Sequence, residues 1–466
     1  MIGYSKTNNL MKESDHMNNT RIFALNREIS NDTHVTRLNN NDLIIGSTGS
    51  GKTTGYVIPN ILRSEESIIV SDTKGQLCRQ LAYILASKGF NIDVLDFADP
   101  FGNSGFNPLD NIRISKSGYP NEQDIRTIAY ALIPDDVCKA DIFWPSSARQ
   151  VIICLIAYVM EAFERNDRNL ITVTEIFKIM NRQMNESNNK SKRFLDEWCL
   201  THPESLAARQ YSMFKAGFAA ERTWASMQQF VSMALEIFDS ENSRALFSSR
   251  GSLSIKKLGR QKSILFLNTS DTDHSMDRII NLFYTQALHI LCKEADRSPS
   301  GRLDVPVRII LDDFAAGVMI QDFDKLISVI RSREISVSVI LQSITQLNTC
   351  YSKAQATTIL NGCDHVIYLG GNDMDTASYI ADRISRTVDK VLYMPNDKMC
   401  LLERGKKGEI IDKVMPDYLS ELLSYDDDPD DPDYFERHDN DENYDDPVLF
   451  AARFNWGSNI FHINRV

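Results

Sequence analysis

The sequence predicts an α/β fold built on a mostly parallel sheet and interrupted by one long all-α insertion. Three observations carry that prediction. Short apolar runs recur with helical segments between them, at Leu43–Gly46, Ser67–Ser71, Ile92–Phe97, Ser263–Asn268, Val307–Asp312, Val337–Gln342 and His365–Gly370; strands alternating with helices in this way form βαβ units and a parallel sheet. From about Asn111 to Leu253 the strand signal stops and helical periodicity replaces it. The first apolar run also leads straight into GSTGSGKTT, Gly46 to Thr54, a loop that belongs between a buried strand and a helix.

Taken in order, residues 1–40 read as a polar N-terminal arm. Its opening, MIGYSKTNNLMKESDHMNN, lacks the apolar core of a signal peptide. Asp42-Leu43-Ile44-Ile45 is the strand before the loop, and the loop fits G-x-x-x-x-G-K-[ST] with Gly46, Gly51, Lys52 and Thr53 at the fixed positions. Glycines let backbone N–H groups of Ser47, Thr48, Gly49 and Ser50 curl around phosphates without Cβ clashes. Lys52 would reach the β- and γ-phosphates, the Thr53 hydroxyl would bind Mg²⁺, and Thr54 begins a helix whose positive end faces the anion. The loop therefore predicts ATP and Mg²⁺ as ligands. Residues 41–110 form the first part of the nucleotide-binding domain and 254–424 the second.

The insert, 111–253, carries helical signals at Asp124–Leu132, Ser147–Phe163, Val173–Arg182, Ser191–Cys199 and Ala219–Phe238. Within it VIICLIAYVM, Val151 to Met160, is the longest apolar run, too short to span a bilayer and closed by Gln150 and Glu161. A buried helix is the expectation.

After the insert, VRIILDDF places Asp312 and Asp313 at the end of a buried strand. Asp312 suits the magnesium shell and Asp313 the general base that orients the attacking water, although Glu is the usual residue there. The alternative is an acidic pair capping the following helix. In SVSVILQS, Gln342 closes a strand at the edge where open α/β sheets bind ligands. It either reports the γ-phosphate or simply satisfies the strand end. Arg331 and Arg333 close a helical run, where cations complement the helix dipole; the other reading is an arginine finger reaching a neighbouring subunit's nucleotide. Met399–Arg404 and Glu409–Lys413 flank GKKG as a hairpin.

The composition is that of a globular protein, 42% hydrophobic and 24% charged, and eight scattered cysteines without a C-x-x-C pair argue against a disulfide scaffold or zinc site and for a reducing cytosol. The net charge of −12 is local. Asp426 to Asp446 holds twelve acidic residues and one arginine, so the remainder is close to neutral. Residues 425–446 read as an acidic disordered segment, and 447–466 as an aromatic tail. The one basic cluster, RGSLSIKKLGRQK from Arg250 to Lys262, is either a solvated turn or a pore loop that tracks DNA phosphates.

In this order the pieces resemble the coupling-protein ATPases of type IV secretion and conjugation, the TraG type. The residues carrying the resemblance are GSTGSGKTTGYVIPN, VSDTKGQL (Val70–Leu77), FNPLD (Phe106–Asp110), DIFW (Asp141–Trp144), LDDFA (Leu311–Ala315), DFDKLISVIRSREISVSVILQSITQL (Asp322–Leu347) and YLGGNDMDTASYI (Tyr368–Ile380). The resemblance spans roughly residues 40 to 420 and implies a RecA-like P-loop motor with an inserted all-α domain. It further implies a homo-hexameric ring that uses ATP to receive single-stranded DNA with its relaxase, or a protein substrate, and pump it toward a secretion channel. The implied partners are the channel's ATPases and inner-membrane components. Typical members begin with two membrane-spanning helices; the forty polar residues before this loop predict a cytoplasmic protein that reaches the membrane only through partners. Two other readings stay open: a ring translocase for double-stranded DNA unlinked to secretion, and a nucleotide-gated receptor with little hydrolysis.

The acidic segment generates the first prediction. Deleting Asp426–Val466 removes the −11 cluster and should tighten DNA binding at low salt, with the gain shrinking as the screening length falls to about 8 Å at physiological salt. A DNA titration at two salt concentrations checks it. Equal affinity for the full-length and truncated chains at low salt would reduce the segment to a solubilising linker.

Overall fold

Strands buried on both faces read as continuous apolar runs, and the central strands here do so because helices cover both sides of the sheet. In the computed structural model of the protein, residues 19–100, 105–134, 143–185, 194–215, 221–248, 253–314 and 319–414 are described. The acidic segment, the aromatic tail, Arg250 and Asp141 lie outside them.

Two compact units divide the chain, one formed by residues up to Val94 with Ser254–Asp271 and the chain from Leu291, the other by Leu95–Leu253 and Thr272–Ile290. The first is α/β. After a hairpin of β1 (Thr20–Ala24) and β2 (Arg27–Ser30) come β3 (Asp42–Ile45), β4 (Ser67–Thr73), β5 (Asn91–Asp96), β6 (Ser263–Thr269), β7 (Val307–Leu311), β8 (Ile335–Leu341), β9 (His365–Tyr368), β10 (Lys398–Glu403) and β11 (Glu409–Asp412). The last nine make one sheet in the order β11-β10-β9-β3-β8-β7-β4-β6-β5. From β9 to β6 the pairs are parallel, and β10 and β11 add an antiparallel edge. Val307, Ile309, Ile310, Leu43, Ile44, Ile45, Val337, Val339 and Ile340 are fully buried.

Residues 20–30 correct the expectation of a polar arm up to residue 40. They form the β1–β2 hairpin, and Phe23 and Ala24 enter the same core as Ile44, Tyr56, Val70 and Ile310. Asn60 clamps the hairpin, accepting from Ile22 N at 2.8 Å and donating to Ile22 O at 2.8 Å.

At the amino ends of the central strands lies a buried ionic cluster. The Asp42 carboxylate, the first residue of β3, meets Arg21 Nε at 3.0 Å, Arg308 of β7 at 3.2 Å, His365 Nδ1 of β9 at 3.2 Å and the Tyr56 hydroxyl at 2.6 Å. Arg308 also reaches Glu66 at 2.9 Å. Burial works to raise the Asp42 carboxyl, but Arg21, the His365 hydrogen bond and Arg308 outweigh it and hold it at about 2. Its partners come from β1, β7, β9 and the helix after the loop, and Ser338 of β8 joins through Tyr56 and Arg308, so the cluster pins the register of β3 against β8 (Asp42 opposite Ser338) and against β9 (Asp42 opposite His365).

The second unit is helical. Its core is the helix Phe143–Ala162, against which Glu122–Leu132, Leu170–Asn185, Leu206–Phe214 and Glu221–Leu235 pack. This helix is twice as long as the apolar run within it suggests. By length and composition it would cross a membrane, with a mean hydropathy of 1.3, yet 72% of that window is buried within the protein. Asp124, at the start of Glu122–Leu132, holds Arg113 through Nε at 2.8 Å and Nη2 at 3.0 Å.

Removing one member of a buried ion cluster strands the others, at a cost of about 3–5 kcal/mol. Arg308→Met should therefore lower the unfolding free energy by about that amount, read from denaturant titration, because Glu66 and Asp42 each lose a partner. A loss below about 1 kcal/mol would mean that the cluster does not hold the strand ends together.

Candidate nucleotide-binding site

Four residues after Asp42, at the other end of β3, the chain leaves the sheet as the phosphate-loop candidate. Gly46 N donates to Leu341 O of β8 at 3.1 Å, and Ser47 N donates to Gly370 O, just past β9, at 3.0 Å. The glycines are there for physical reasons. A Cβ at Gly46 would lie 2.3 Å from Ser50 Oγ and 3.0 Å from Leu369 Cβ, while Gly49 and Gly51 sit at φ +77° and +91°, open to glycine and costly for side chains. Thr48, Gly49 and Thr54 are exposed along the outer curve. Lys52 is buried and folds back into the loop, its Nζ donating to Gly46 O at 2.9 Å and Ser47 O at 3.3 Å. The helix that follows opens with a π turn, Thr53–Val57, before Ile58–Arg63.

Two strands away, β7 ends at Leu311 and delivers Asp312 beside the loop. Thr53 Oγ1 donates to Asp312 Oδ2 at 3.2 Å. Ser71 of β4 fixes the Asp312 backbone from the other side, its Oγ accepting from Asp312 N at 2.7 Å and donating to Asp312 O at 3.1 Å. Burial and then the neighbouring Asp313 carboxylate push the Asp312 carboxyl up, against the Thr53 hydrogen bond and Lys52. A hydroxyl and a carboxylate brought this close are hard oxygen donors of the kind Mg²⁺ takes, and a cation there would relieve the strain of ionising Asp312. The residues fit the metal.

Asp313 is unusual. Its backbone is left-handed, φ +49°, its N–H donates to Asp312 Oδ1 at 3.0 Å, and its own Oδ1 is buried without a hydrogen-bond partner among the described residues. Asp and Asn tolerate the left-handed region better than longer side chains. That gives a local reason for Asp where Glu was expected. Residues 315–318, just after this pair, lie outside the described residues, so the capping alternative stands beside the catalytic one.

β8, which Gln342 follows directly, lies between β3 and β7. Gln342 is exposed at the carboxyl edge, its N–H donating to Gln346 Oε1 at 3.2 Å. The structure thus brings Gly46 to Thr54, Asp312, Asp313 and Gln342 to one edge of the sheet. It does not bring Arg331 and Arg333 there. They occupy the 3₁₀ turn Ile330–Arg333 immediately before β8, at the amino ends of the strands, a seven-residue strand or roughly 23 Å from the carboxyl edge. Arg333 is held by Asp296 through two bonds, 2.8 and 3.2 Å, whereas exposed Arg331, among the described residues, reaches Thr33 O at 3.4 Å.

Three of the five cations in the basic stretch before β6 have acidic partners. Arg260 pairs with Glu294, Lys262 with Glu65, and Lys257 lies 3.6 Å from Asp93. This favours the solvated-turn reading over a DNA-tracking loop. Sequence reasoning missed Ser71 and the Gly370 turn, although both fall inside the VSDTKGQL and YLGGNDMDTASYI stretches.

Comparison with known proteins adds to this geometry. A family model described as type IV secretory system conjugative DNA transfer matches residues 6–393. The conjugal transfer protein TraG of Agrobacterium fabrum is 23% identical over 368 residues, covering 75% of this chain and 51% of TraG, so the chain spans about half the length of that relative. Among solved structures, the plasmid coupling protein TrwB is similar in its complex with the GTP analogue GDPNP (TM-score 0.59, 15% identity, 80% of this chain and 85% of TrwB) and with ADP and Mg²⁺ (TM-score 0.57, 13% identity, 80% and 84%). VirB4 of Thermoanaerobacter pseudethanolicus gives a TM-score of 0.51 at 12% identity, over 82% of this chain and 91% of VirB4.

The assigned roles of Lys52 and Asp313 separate in a binding and turnover assay. Lys52→Ala should lose ATP affinity and hydrolysis together. Asp313→Asn, which suits the left-handed backbone, should keep binding and lose turnover by about 10²–10⁴-fold, because an amide cannot accept the water's proton. Unchanged turnover in Asp313→Asn would remove that residue from the chemistry.

Proposed function

The chain belongs to the type IV secretory system conjugative DNA transfer family, as a TraG-type coupling protein with a RecA-like P-loop fold, and on that premise we propose that it hydrolyses ATP to drive DNA transfer. The observation that carries this reading is the 3.2 Å contact between Thr53 Oγ1 and Asp312 Oδ2, with Asp313 next in the chain. It joins a phosphate loop to an acidic strand end across an intervening strand, β8, that Gln342 follows directly.

In this reading the N–H groups of Ser47 to Thr53 bind the phosphates and Lys52 turns from Gly46 O and Ser47 O to the β- and γ-phosphates. Thr53 and Asp312 would hold Mg²⁺, which would supply charge neutralisation at the phosphates. Asp313, whose Oδ1 has no hydrogen-bond partner among the described residues, takes the proton of the attacking water. Gln342 senses the γ-phosphate. Residues 41–110 and 254–424 do the nucleotide work, and 111–253 is a separate inserted domain. The substrate is single-stranded DNA with its relaxase, or a protein substrate, passed at the cytoplasmic face of the membrane to the secretion channel with its ATPases and inner-membrane components.

Arg331 and Arg333 lie too far from their own chain's loop to act on it, so a finger role requires a neighbouring subunit in a ring, which we take to be a hexamer. Arg331 is the better candidate, because Arg333 is committed to Asp296. Arg331→Ala should bind ATP normally and fail to hydrolyse it, while Arg333→Ala keeps most of its turnover. Mixing Arg331→Ala with Lys52→Ala should restore part of the activity, since each supplies what the other lacks. No rescue in mixtures that co-assemble would overturn the finger and leave Arg331 as a helix-end cation.

A further inference from the structure

The hairpin of β10 and β11 lies beyond residue 393, where the family match ends, yet it returns the chain to the phosphate loop. Lys413 follows β11 directly. Its backbone is fixed by a hydrogen bond from its N–H to Asp397 O at 2.9 Å, and its Nζ donates to two backbone carbonyls, Leu369 O at 2.7 Å and Ser50 O at 3.2 Å. Ser50 is in the loop itself, and Leu369 begins the turn whose Gly370 carbonyl holds Ser47 N. Val414 then passes over the start of the loop's helix, its carbonyl 3.7 Å from where a Cβ at Gly55 would lie.

An ammonium half withdrawn from water is costly unless something compensates the charge. Lys413 is about half buried, and among the described residues no carboxylate lies within ion-pair distance of its Nζ. Asp397 is the one acidic group that influences it, against the burial that pushes its pKa down. Two carbonyl dipoles use two of its three N–H donors. Among the described residues the charge thus has partial solvation and no counter-ion, at the rim of a loop shaped for polyphosphate.

We propose that Lys413 is a positioning residue of the nucleotide site, clamping Ser50 of the phosphate loop to the turn after β9 and bringing a second positive charge to the loop's rim. The inference rests on the nucleotide reading of that loop. Lys52 and Lys413 hold different carbonyls of the same loop, Gly46 and Ser47 for the first, Ser50 for the second. When Lys52 turns to the phosphates, the Gly46 and Ser47 carbonyls lose their donor, and the Lys413 contact is what keeps the loop's far side in place. Bonds from a charged donor of this kind contribute about 1.5–3 kcal/mol, and 1.4 kcal/mol corresponds to tenfold in affinity.

Calorimetric titration of the full-length protein with ADP and Mg²⁺ tests this. Lys413→Met should weaken ADP binding about tenfold or more, and the same loss should show in KM for ATP more than in turnover at saturation. Lys413→Arg, which keeps a cationic donor for both carbonyls, should recover affinity to within about threefold of wild type. Lys398→Met removes a charge from the same hairpin, where Lys398 pairs with Asp412, and should leave ADP binding unchanged. ADP affinity in Lys413→Met equal to wild type, or equal losses in Lys413→Met and Lys413→Arg, would overturn the clamp. A wild-type protein that binds no ADP would instead overturn the nucleotide reading on which it rests. Melting temperatures without nucleotide separate loss of binding from loss of fold.

Discussion

One buried carboxylate sets the geometry on which the site depends. Asp42 takes in two arginines, a histidine and a tyrosine at the amino ends of β3, β7 and β9, and none of these groups has water to turn to. Such a cluster does not add much net stability over a well-packed apolar one. What it adds is specificity of register, since a one-residue slip of β3 would separate Asp42 from all its partners and turn its side chains to the other face. The hairpin at residues 20–30 is held by the same carboxylate through Arg21.

Register fixed at one end determines function at the other. With Asp42 opposite Ser338 and His365, Gly46 emerges next to Leu341 and the loop leans on Gly370. β7 then delivers Asp312 to Thr53 with Ser71 bracing its backbone. The cost of ionising Asp312 in this setting, and the left-handed backbone at Asp313, are strains of the sort that cluster at functional sites, and a cation beside Asp312 would relieve the first. The arginines of Ile330–Arg333 belong to the opposite edge, and this separation rules out a role for them at their own chain's loop.

Much of the sheet was legible because strands buried on both faces are continuous apolar runs, and VRIILDD and SVSVILQ leave little choice of period. The β1–β2 hairpin was not legible. TRIFA is five residues long, contains an arginine and follows a polar stretch, so nothing in it announces that Arg21 is buried against a carboxylate 21 positions on. The helices Leu206–Phe214 and Glu241–Ser248 are short and carry few periodic positions. Contacts distant in sequence account for the rest: Asp93, Glu294 and Glu65 pair with three cations of the basic stretch, and Lys413 reaches Ser50 from 363 residues away. The loop and its acidic partners could be read because their chemistry is local in sequence; the groups that position them could not, because theirs is not.

The most direct measurement of the central claim is steady-state ATP hydrolysis by the full-length protein with Mg²⁺, with and without single-stranded DNA, accompanied by the mass of the assembly. A nucleotide-driven DNA motor predicts hydrolysis that single-stranded DNA stimulates, in an oligomer larger than a dimer. Tight ATP binding with no turnover under either condition would contradict the motor and leave a nucleotide-gated receptor in its place.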